Sequence, residues 1–393
     1  KYIMKLKKKE RERNSKKKKE DIKFKLALYS PVKNEKRLKE WIIYYKNLEI
    51  DLFIIKDDFS EISPKVYFEE LNITNYEIIE GCEPYWNSIT LRSSVKSYAR
   101  TKIFDDHIIP LCKKHNIDYL LQFDSDEFLY LNYFKNIQEM LNHYQPFDEL
   151  NINWLIFYDN CLKENKTNSL IKSSNLSGKY LNRYTKSITK VSSIITGRNA
   201  HNCLIKKNSV IKNIWNQIIP SLENKCGFFK KKNSVIKNIW NQIIPSLENK
   251  CGFFKNFSYN KAPIFIAHYV FKDIKNYVER KLCADDGNFN LIFNKYYDSD
   301  PKTIEEKQKL IKYHKENKND LIDYIYYLRN GDVMNIKKQE DKHKLFEKNK
   351  EFYKRYYTSY GHDFENKLPN KEYYYTENIL LINFFYNNNL FLL

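Results

Sequence analysis

No run of about 18 uninterrupted apolar residues occurs in this chain of 393 residues, which excludes a membrane-spanning helix on length. The nearest approach, residues 379–393, is interrupted by Asn383 and by Asn387 to Asn389. The Lys-rich start has no apolar run behind it and does not read as a secretory signal. The expected location is therefore the cytoplasm or the periphery of a membrane. Seven cysteines are scattered without a CxxC pair, which argues against a disulfide framework and a structural zinc site and leaves reduced, buried thiols. Glycine is scarce at 8 residues, and none follows the first apolar segment. A Gly-rich phosphate loop, such as a nucleotidyltransferase needs after its first strand, is missing there.

What is present has a globular balance, 42% hydrophobic and 30% charged. Lys and Arg number 68 against 49 Asp and Glu, a net charge of +19. Residues 1–25 hold thirteen basic and four acidic side chains, so almost half of that excess belongs to one end of the chain. Residues 1–23 read as a basic, disordered tail: a solubilising extension, or a weak contact with anionic membrane surfaces. The remainder lacks the Arg and aromatic clustering of a nucleic-acid reader, so no specific nucleic-acid partner is expected. The length is that of two or three domains, or of one large domain with appendages. The expected division is the tail, an α/β domain over 24–298, and a helical, Tyr- and Asn-rich region over 299–393.

Within the α/β part, strand and helix signals alternate. Residues 24–30 form a short apolar run ending at Pro31. Asn34 is placed to cap a helix starting at Glu35, with Leu38, Trp41, Ile42, Tyr45 and Leu48 at helical spacing. Residues 52–55 read as a strand running into Asp57 and Asp58, and residues 76–79 as another. An amphipathic segment covers 93–112, a strand 119–123, a helix 136–144 and a strand 149–158. Such alternation predicts a mostly parallel, Rossmann-like sheet with flanking helices. Residues 206–230 recur unchanged as 231–255. In the first copy Val210, Ile211, Ile214, Trp215, Ile218 and Ile219 have helical spacing up to Pro220. Two copies are too few for a solenoid, so one copy is expected to take the native slot and the other to loop out. Residues 311–327 and 345–357 also read as helices.

The chemistry concentrates in DYLLQFDSDEFLYL, residues 118–131. A buried strand delivers Asp124 to its carboxyl end and Asp126 follows two residues later. In extended backbone both carboxylates face one way and can share a hard divalent cation, Mn²⁺ or Mg²⁺. An EF-hand is excluded because its glycine and terminal glutamate are absent from the required offsets.

The ordered segments SPVKNE (30–35), LKEWIIYYKNLEIDLFIIKDDFSE (38–61), LLQFDSDEFLYL (120–131), INWLIFYDN (152–160), KSIT (186–189), AHNC (200–203) and IAHYVFKD (266–273) resemble glycosyltransferases of the family 92 and family 2-like group. The resemblance spans roughly residues 24–285 and implies an α/β, GT-A fold with a helical C-terminal appendage. It also implies a nucleotide-sugar donor, usually a UDP-sugar, with Mn²⁺ held at the D-x-D, and a glycan or glycoprotein acceptor. Asp124 and Asp126 then match the metal and diphosphate ligands, and His268 the late histidine that completes the metal shell, with His201 as a second candidate. Asp57 and Asp58 match nucleotide-contacting acids. Pro31, Val32 and Asn34 lie on the base-lining loop, and Arg100 and Lys186 are candidates for the nucleotide or diphosphate. An inverting reaction needs a carboxylate to deprotonate the acceptor hydroxyl; Asp159, Glu127, Asp285 and Asp286 are the candidates. Where the family tends to carry a Gly/Ser-rich stretch after its Trp-x-x-Phe strand, this chain has Tyr158, Asp159 and Asn160. The reaction expected is metal-dependent transfer of a hexose. The alternatives are a catalytically impaired nucleotide-sugar binder and an electrostatic tether acting through residues 1–25.

Overall fold

The computed structural model describes residues 22–81, 101–158, 169–173, 176–178, 181–182, 184–197, 201–219, 259–269, 273–279, 309, 311–330 and 376–377. Arg100, Asp159, Asp285 and Asp286 lie outside them, as do residues 1–21, the second repeat copy and the helix expected over 345–357.

Four strands build the first half: β1 (Leu26–Val32), β2 (Leu52–Asp57), β3 (Tyr76–Glu80) and β4 (Tyr119–Gln122). All pair in parallel in the order β3-β2-β1-β4. Helix α1 (Leu38–Asn47) joins β1 to β2, and α2 (Pro64–Glu70) joins β2 to β3. A π-helical turn, Phe104–Ile108, runs into α3 (Ile109–Lys114) before β4. Residues alternate between the faces of this sheet, as strand geometry demands. Leu26, Leu28, Phe53, Ile55 and Leu121 pack with Trp41, Tyr44 and Tyr45 of α1. Ala27, Tyr29, Leu52, Ile54 and Leu120 pack with Phe104, Ile108 and Cys112 on the other face. Both faces are covered, which is why these strands read as unbroken apolar runs. Burial holds the Cys112 thiol in its protonated form, pushing it up to about 12.

The second half is mixed. β8 (Thr185–Lys190) runs antiparallel to β4 and to β6 (Glu149–Tyr158). β5 (Glu127–Leu131) pairs antiparallel with β13 (Ile264–His268), which itself runs parallel to β6. Short pairs complete the described strands: β7 (Leu176–Ser177) with β14 (Thr376–Glu377), β9 (Ile194–Gly197) with β10 (Cys203–Ile205), and β11 (Ile211–Asn213) with β12 (Ile218–Ile219). Gly197 is where β9 meets the π turn. A Cβ there would fall 2.5 Å from Cδ2 of Phe104, so a side chain does not fit. The architecture is α/β, a largely parallel mixed sheet flanked by helices. No helix among the described residues is long and apolar enough to cross a membrane.

Three expectations change. The described part of the first repeat copy, residues 206–219, is not helical: residues 211–219 make a strand, a turn and a strand, with β11 parallel to β6. Its turn is built by Asn213, whose Oδ1 accepts from the amides of Trp215 and Gln217, and by Asn216 at φ 61°. Local Asn bonding outcompetes the helical spacing of the isoleucines. Asn34 does not cap α1, which starts at Leu38 without a side-chain cap. It adopts φ 50° instead, and its Oδ1 accepts from the Glu61 amide at 2.7 Å, tying the loop after β1 to the loop after β2. The C-terminal region is not wholly a helical appendage, since Thr376 and Glu377 pair with β7. It does carry α4, Lys318–Asn330, preceded by helical residues 311–316.

Candidate functional site

Strand order reverses between β1 and β4: from β1 the chain moves outward to β2 and β3, then returns on the opposite side. Open α/β sheets bind ligands in the crevice that such a reversal leaves at the carboxyl ends of the strands. The ladder between β1 and β4 stops at Tyr29 and Gln122, short of Pro31, so the missing amide of that proline costs no sheet hydrogen bond. Beyond this point the two strands deliver Pro31, Val32 and Asn34 on one side and Asp124 to Glu127 on the other.

The segment 124–127 is a turn, closed by the Glu127 amide donating to the Asp124 carbonyl at 3.0 Å. The extended backbone expected for the D-x-D is therefore corrected, and the two aspartates have different partners. Asp124 Oδ2 meets Lys186 Nζ at 2.8 Å, while Asp126 Oδ1 lies 3.7 Å from His268 Nε2. Glu127 sits between them. Its Oε2 accepts from the Asp124 amide at 2.8 Å and lies 3.3 Å from Lys186 Nζ, and its Oε1 lies 3.9 Å from His268 Nδ1. The strand register explains the meeting, since β13 places His268 directly opposite Glu127. The Tyr269 amide then donates to the Asp126 carbonyl at 2.9 Å and locks the end of β13 to the turn.

The electrostatics follow from burial. The Lys186 and Glu127 side chains are both 0% exposed, whereas that of Asp124 is 37% exposed. Burial pushes the Glu127 carboxyl well above its ordinary value, and the Lys186 ammonium opposes that shift. Burial alone would pull Lys186 down, but Asp124 and Glu127 together outweigh it and leave the amine raised. The two directions pull against one another, one favouring a neutral acid and the other an ammonium facing an anion. The charged lysine is the firmer conclusion, because two acidic side chains, Asp124 and Glu127, both face it.

Helix α1 holds this arrangement from outside. Trp41 Nε1 donates to the Glu127 carbonyl at 3.1 Å, and the Tyr45 hydroxyl donates to the same oxygen at 3.0 Å. The Tyr45 hydroxyl also accepts from the Leu129 amide at 3.0 Å, and the Tyr44 hydroxyl donates to the Leu129 carbonyl. These buried rings thus satisfy an edge of β5 that would otherwise be bare, a use of their polar tips that apolar periodicity does not reveal.

The other expected residues fall around this centre. Asp57 and Asp58 are buried at the carboxyl end of β2, where Asp57 accepts from the Ser60 amide at 3.0 Å and Asp58 pairs with the buried Lys56. They shape the loop beside Asn34. Lys186, a candidate for phosphate, instead neutralises acids of the chain itself. Glu127, a candidate base, turns its carboxylate inward to the turn and to Lys186. His201 and His268 both pack on Trp154, with ring centroids 5.2 and 4.3 Å from it. Tyr184, 49% exposed, completes this aromatic row 5.6 Å from Trp154. Among the described residues, no group of three or more His, Cys, Asp or Glu side chains is arranged to hold a metal ion.

No family model and no curated protein matches the chain. Among solved structures it is similar to HddC from Yersinia pseudotuberculosis, at 9% identity over 49% of this chain and 89% of that chain, with a TM-score of 0.28. The same protein complexed with GMP-PN matches at 11% identity, the same coverage and the same TM-score. A likeness at that level carries no argument about this chain's activity.

Proposed function

We propose that this chain is a glycosyltransferase of GT-A type, metal-dependent and inverting, that moves a hexose from a nucleotide-diphosphate sugar, a UDP-sugar, to a glycan or protein acceptor. The observation that carries the reading is the meeting of Asp124, Asp126, Glu127, Lys186 and His268 at the end of β4, beside the reversal of strand order. Five chemically related side chains from three separate strands and a turn converge where an α/β sheet offers a diphosphate crevice.

The donor set fits a divalent ion in a limited way. Asp126 and His268 are two donors close enough to share one, and Mg²⁺ or Mn²⁺ commonly takes only one or two protein ligands and fills the rest with phosphate oxygens and water. Glu127 Oε1 is buried and accepts no hydrogen bond from the described residues, and it lies on the Nδ1 side of His268. That is the position of the carboxylate that orients a metal-bound imidazole. When bound, such an ion supplies charge stabilisation to the departing diphosphate. The chain's own residues do the rest. Lys186 holds Asp124 in place at the mouth of the crevice, Glu127 fixes the turn, and the β1 and β2 loops offer the nucleoside a floor built on Asn34, Asp57 and Ser60. Trp154, Tyr184 and His201 cluster beside His268, with Tyr184 exposed, and suit the acceptor side. Asp159 and Asp286 stay candidates for the base.

Hydrolysis of UDP-sugars with Mn²⁺, compared between the wild type and Asp126→Ala, tests this. Loss of turnover in the variant is expected, and equal rates contradict the proposal. A second reading, a nucleotide-sugar binder with little turnover, is favoured by one observation: Asp124 already has a cation at 2.8 Å. UDP binding without turnover of any donor would select it.

A further inference from the structure

Seven described residues other than glycine have positive φ, and five of them are asparagines, the type that tolerates this conformation through local hydrogen bonds. Of the remaining two, Glu49 follows the end of α1. The other is Phe59, at φ 57°. A bulky side chain in the left-handed region is a strained arrangement, and such strain persists where the surroundings impose it, often at ligand sites. Phe59 gains no burial in exchange, because it is 58% exposed. Core packing does not hold the ring there.

Its position is informative. Phe59 follows Asp57 and Asp58 directly, and Asp57 is paired in register with Val32 of β1 and Glu80 of β3. The neighbouring Ser60 is fastened on both sides: its hydroxyl accepts from the Asn34 amide at 3.0 Å, and its own amide donates to Asp57. Phe59 is thus pinned across the carboxyl ends of the first three strands. Its ring edge stands 3.6 Å from where a Cβ on Gly81, just past β3, would lie. Neighbouring strands are about 4.8 Å apart, so a ring lying between the ends of β2 and β3 stands about 10–14 Å from the end of β4. An extended nucleoside diphosphate whose phosphates rest at Asp124 and Asp126 reaches that far.

We propose that Phe59 is the stacking surface for the nucleobase of the donor, held in a strained backbone so that its ring stays at the rim of the crevice and not in the core. The inference rests on the donor reading above and adds the residue that grips the base. Stacking on an aromatic ring tolerates any base and its loss weakens binding about 5- to 150-fold.

The test is calorimetric titration of UDP, GDP and inorganic pyrophosphate, each with Mn²⁺, into the wild type, Phe59→Ala, Phe59→Trp and Phe59→Gly. Phe59→Ala and Phe59→Gly are expected to lose at least about fivefold in nucleotide affinity, with pyrophosphate binding unchanged and Phe59→Trp close to wild type. Phe59→Gly is also expected to melt no lower than the wild type, because glycine adopts this φ without strain. Nucleotide affinity unchanged in Phe59→Ala overturns the inference and leaves Phe59, with exposed Ile62 and Val66, as an apolar surface patch. Equal weakening of pyrophosphate overturns it as well. A wild type that binds neither nucleotide nor pyrophosphate overturns the donor reading itself, whereas one that binds pyrophosphate as tightly as UDP and GDP overturns only the role of Phe59.

Discussion

Replacing Lys186 by methionine is the most informative single perturbation of the fold around the site. The ammonium is fully buried, 2.8 Å from Asp124 Oδ2 and 3.3 Å from Glu127 Oε2. Methionine keeps most of the volume and removes the charge. Glu127 Oε2 is then left with the Asp124 amide as its hydrogen-bond donor, inside a site from which its side chain has no access to water. Breaking one partner of a buried pair costs about 3–5 kcal/mol. The low end applies here, because Asp124 is partly solvated and absorbs some of the loss. A cost of about 3 kcal/mol lowers the melting temperature by roughly 6–12 °C in a folded unit of 150–250 residues. The companion variant Glu127→Gln removes the buried carboxyl that faces Lys186, and the double variant should recover about 1–2 kcal/mol relative to the sum of the singles. Urea unfolding of the four proteins closes the cycle. A Lys186→Met loss below about 1 kcal/mol, or strict additivity of the two changes, would refute the view that this lysine is the counter-ion of the acid cluster.

Tyr45→Phe strips a buried hydroxyl that serves both the Glu127 carbonyl and the Leu129 amide, and should cost about 1–3 kcal/mol in denaturant unfolding, with Asp126→Ala-sensitive nucleotide binding weakened in parallel. Ile214 is 1% exposed within the first repeat copy, so Ile214→Ala should cost about 2–4 kcal/mol, and the same change at its counterpart Ile239 serves as the control. Equal losses at the two positions would contradict the assignment of the first copy to the sheet. Deleting residues 231–255 should leave a soluble protein with an unchanged circular dichroism spectrum. Glu77 is held below the usual carboxylate range first by its hydrogen bond from His115 and then by Lys114. A depressed acid stabilises the fold above its unfolded pKa and loses that contribution as pH falls. Glu77→Gln should therefore cost under about 1 kcal/mol at neutral pH and nothing in acid, as thermal melts across pH would report.

Much of the first half is legible because its strands are buried on both faces, so the runs at 26–32, 52–57 and 119–122 stand out, the last two with acids at their ends. Asp124 and Asp126 were visible for the same reason. Their separate partners were not, because a turn and an extended segment carry the same letters until Glu127 closes the hydrogen bond. Lys186 carries a faint sequence signal: it shares a strand face with Ile188 in a period of two, and both are buried. The repeat reads as a helix because Val210, Ile214 and Ile218, four residues apart, fit a helix as well as a strand pair, and the deciding information lies in Asn213 and Asn216. Tyr45 and Trp41 read correctly as core, yet their polar tips do the work at β5, which no apolar periodicity encodes. Phe59 gave no signal at all, since backbone conformation at an aromatic residue is not written in composition.

The central claim is that the turn after β4 and His268 together receive a nucleotide diphosphate with a divalent ion. Calorimetric titration of UDP in Mn²⁺ and in EDTA, for the wild type, Asp126→Asn and His268→Ala, tests it most directly. Tight binding that needs Mn²⁺ and is lost in both variants is the predicted result. Binding that is absent from the wild type, or that survives equally in EDTA and in both variants, would contradict the account.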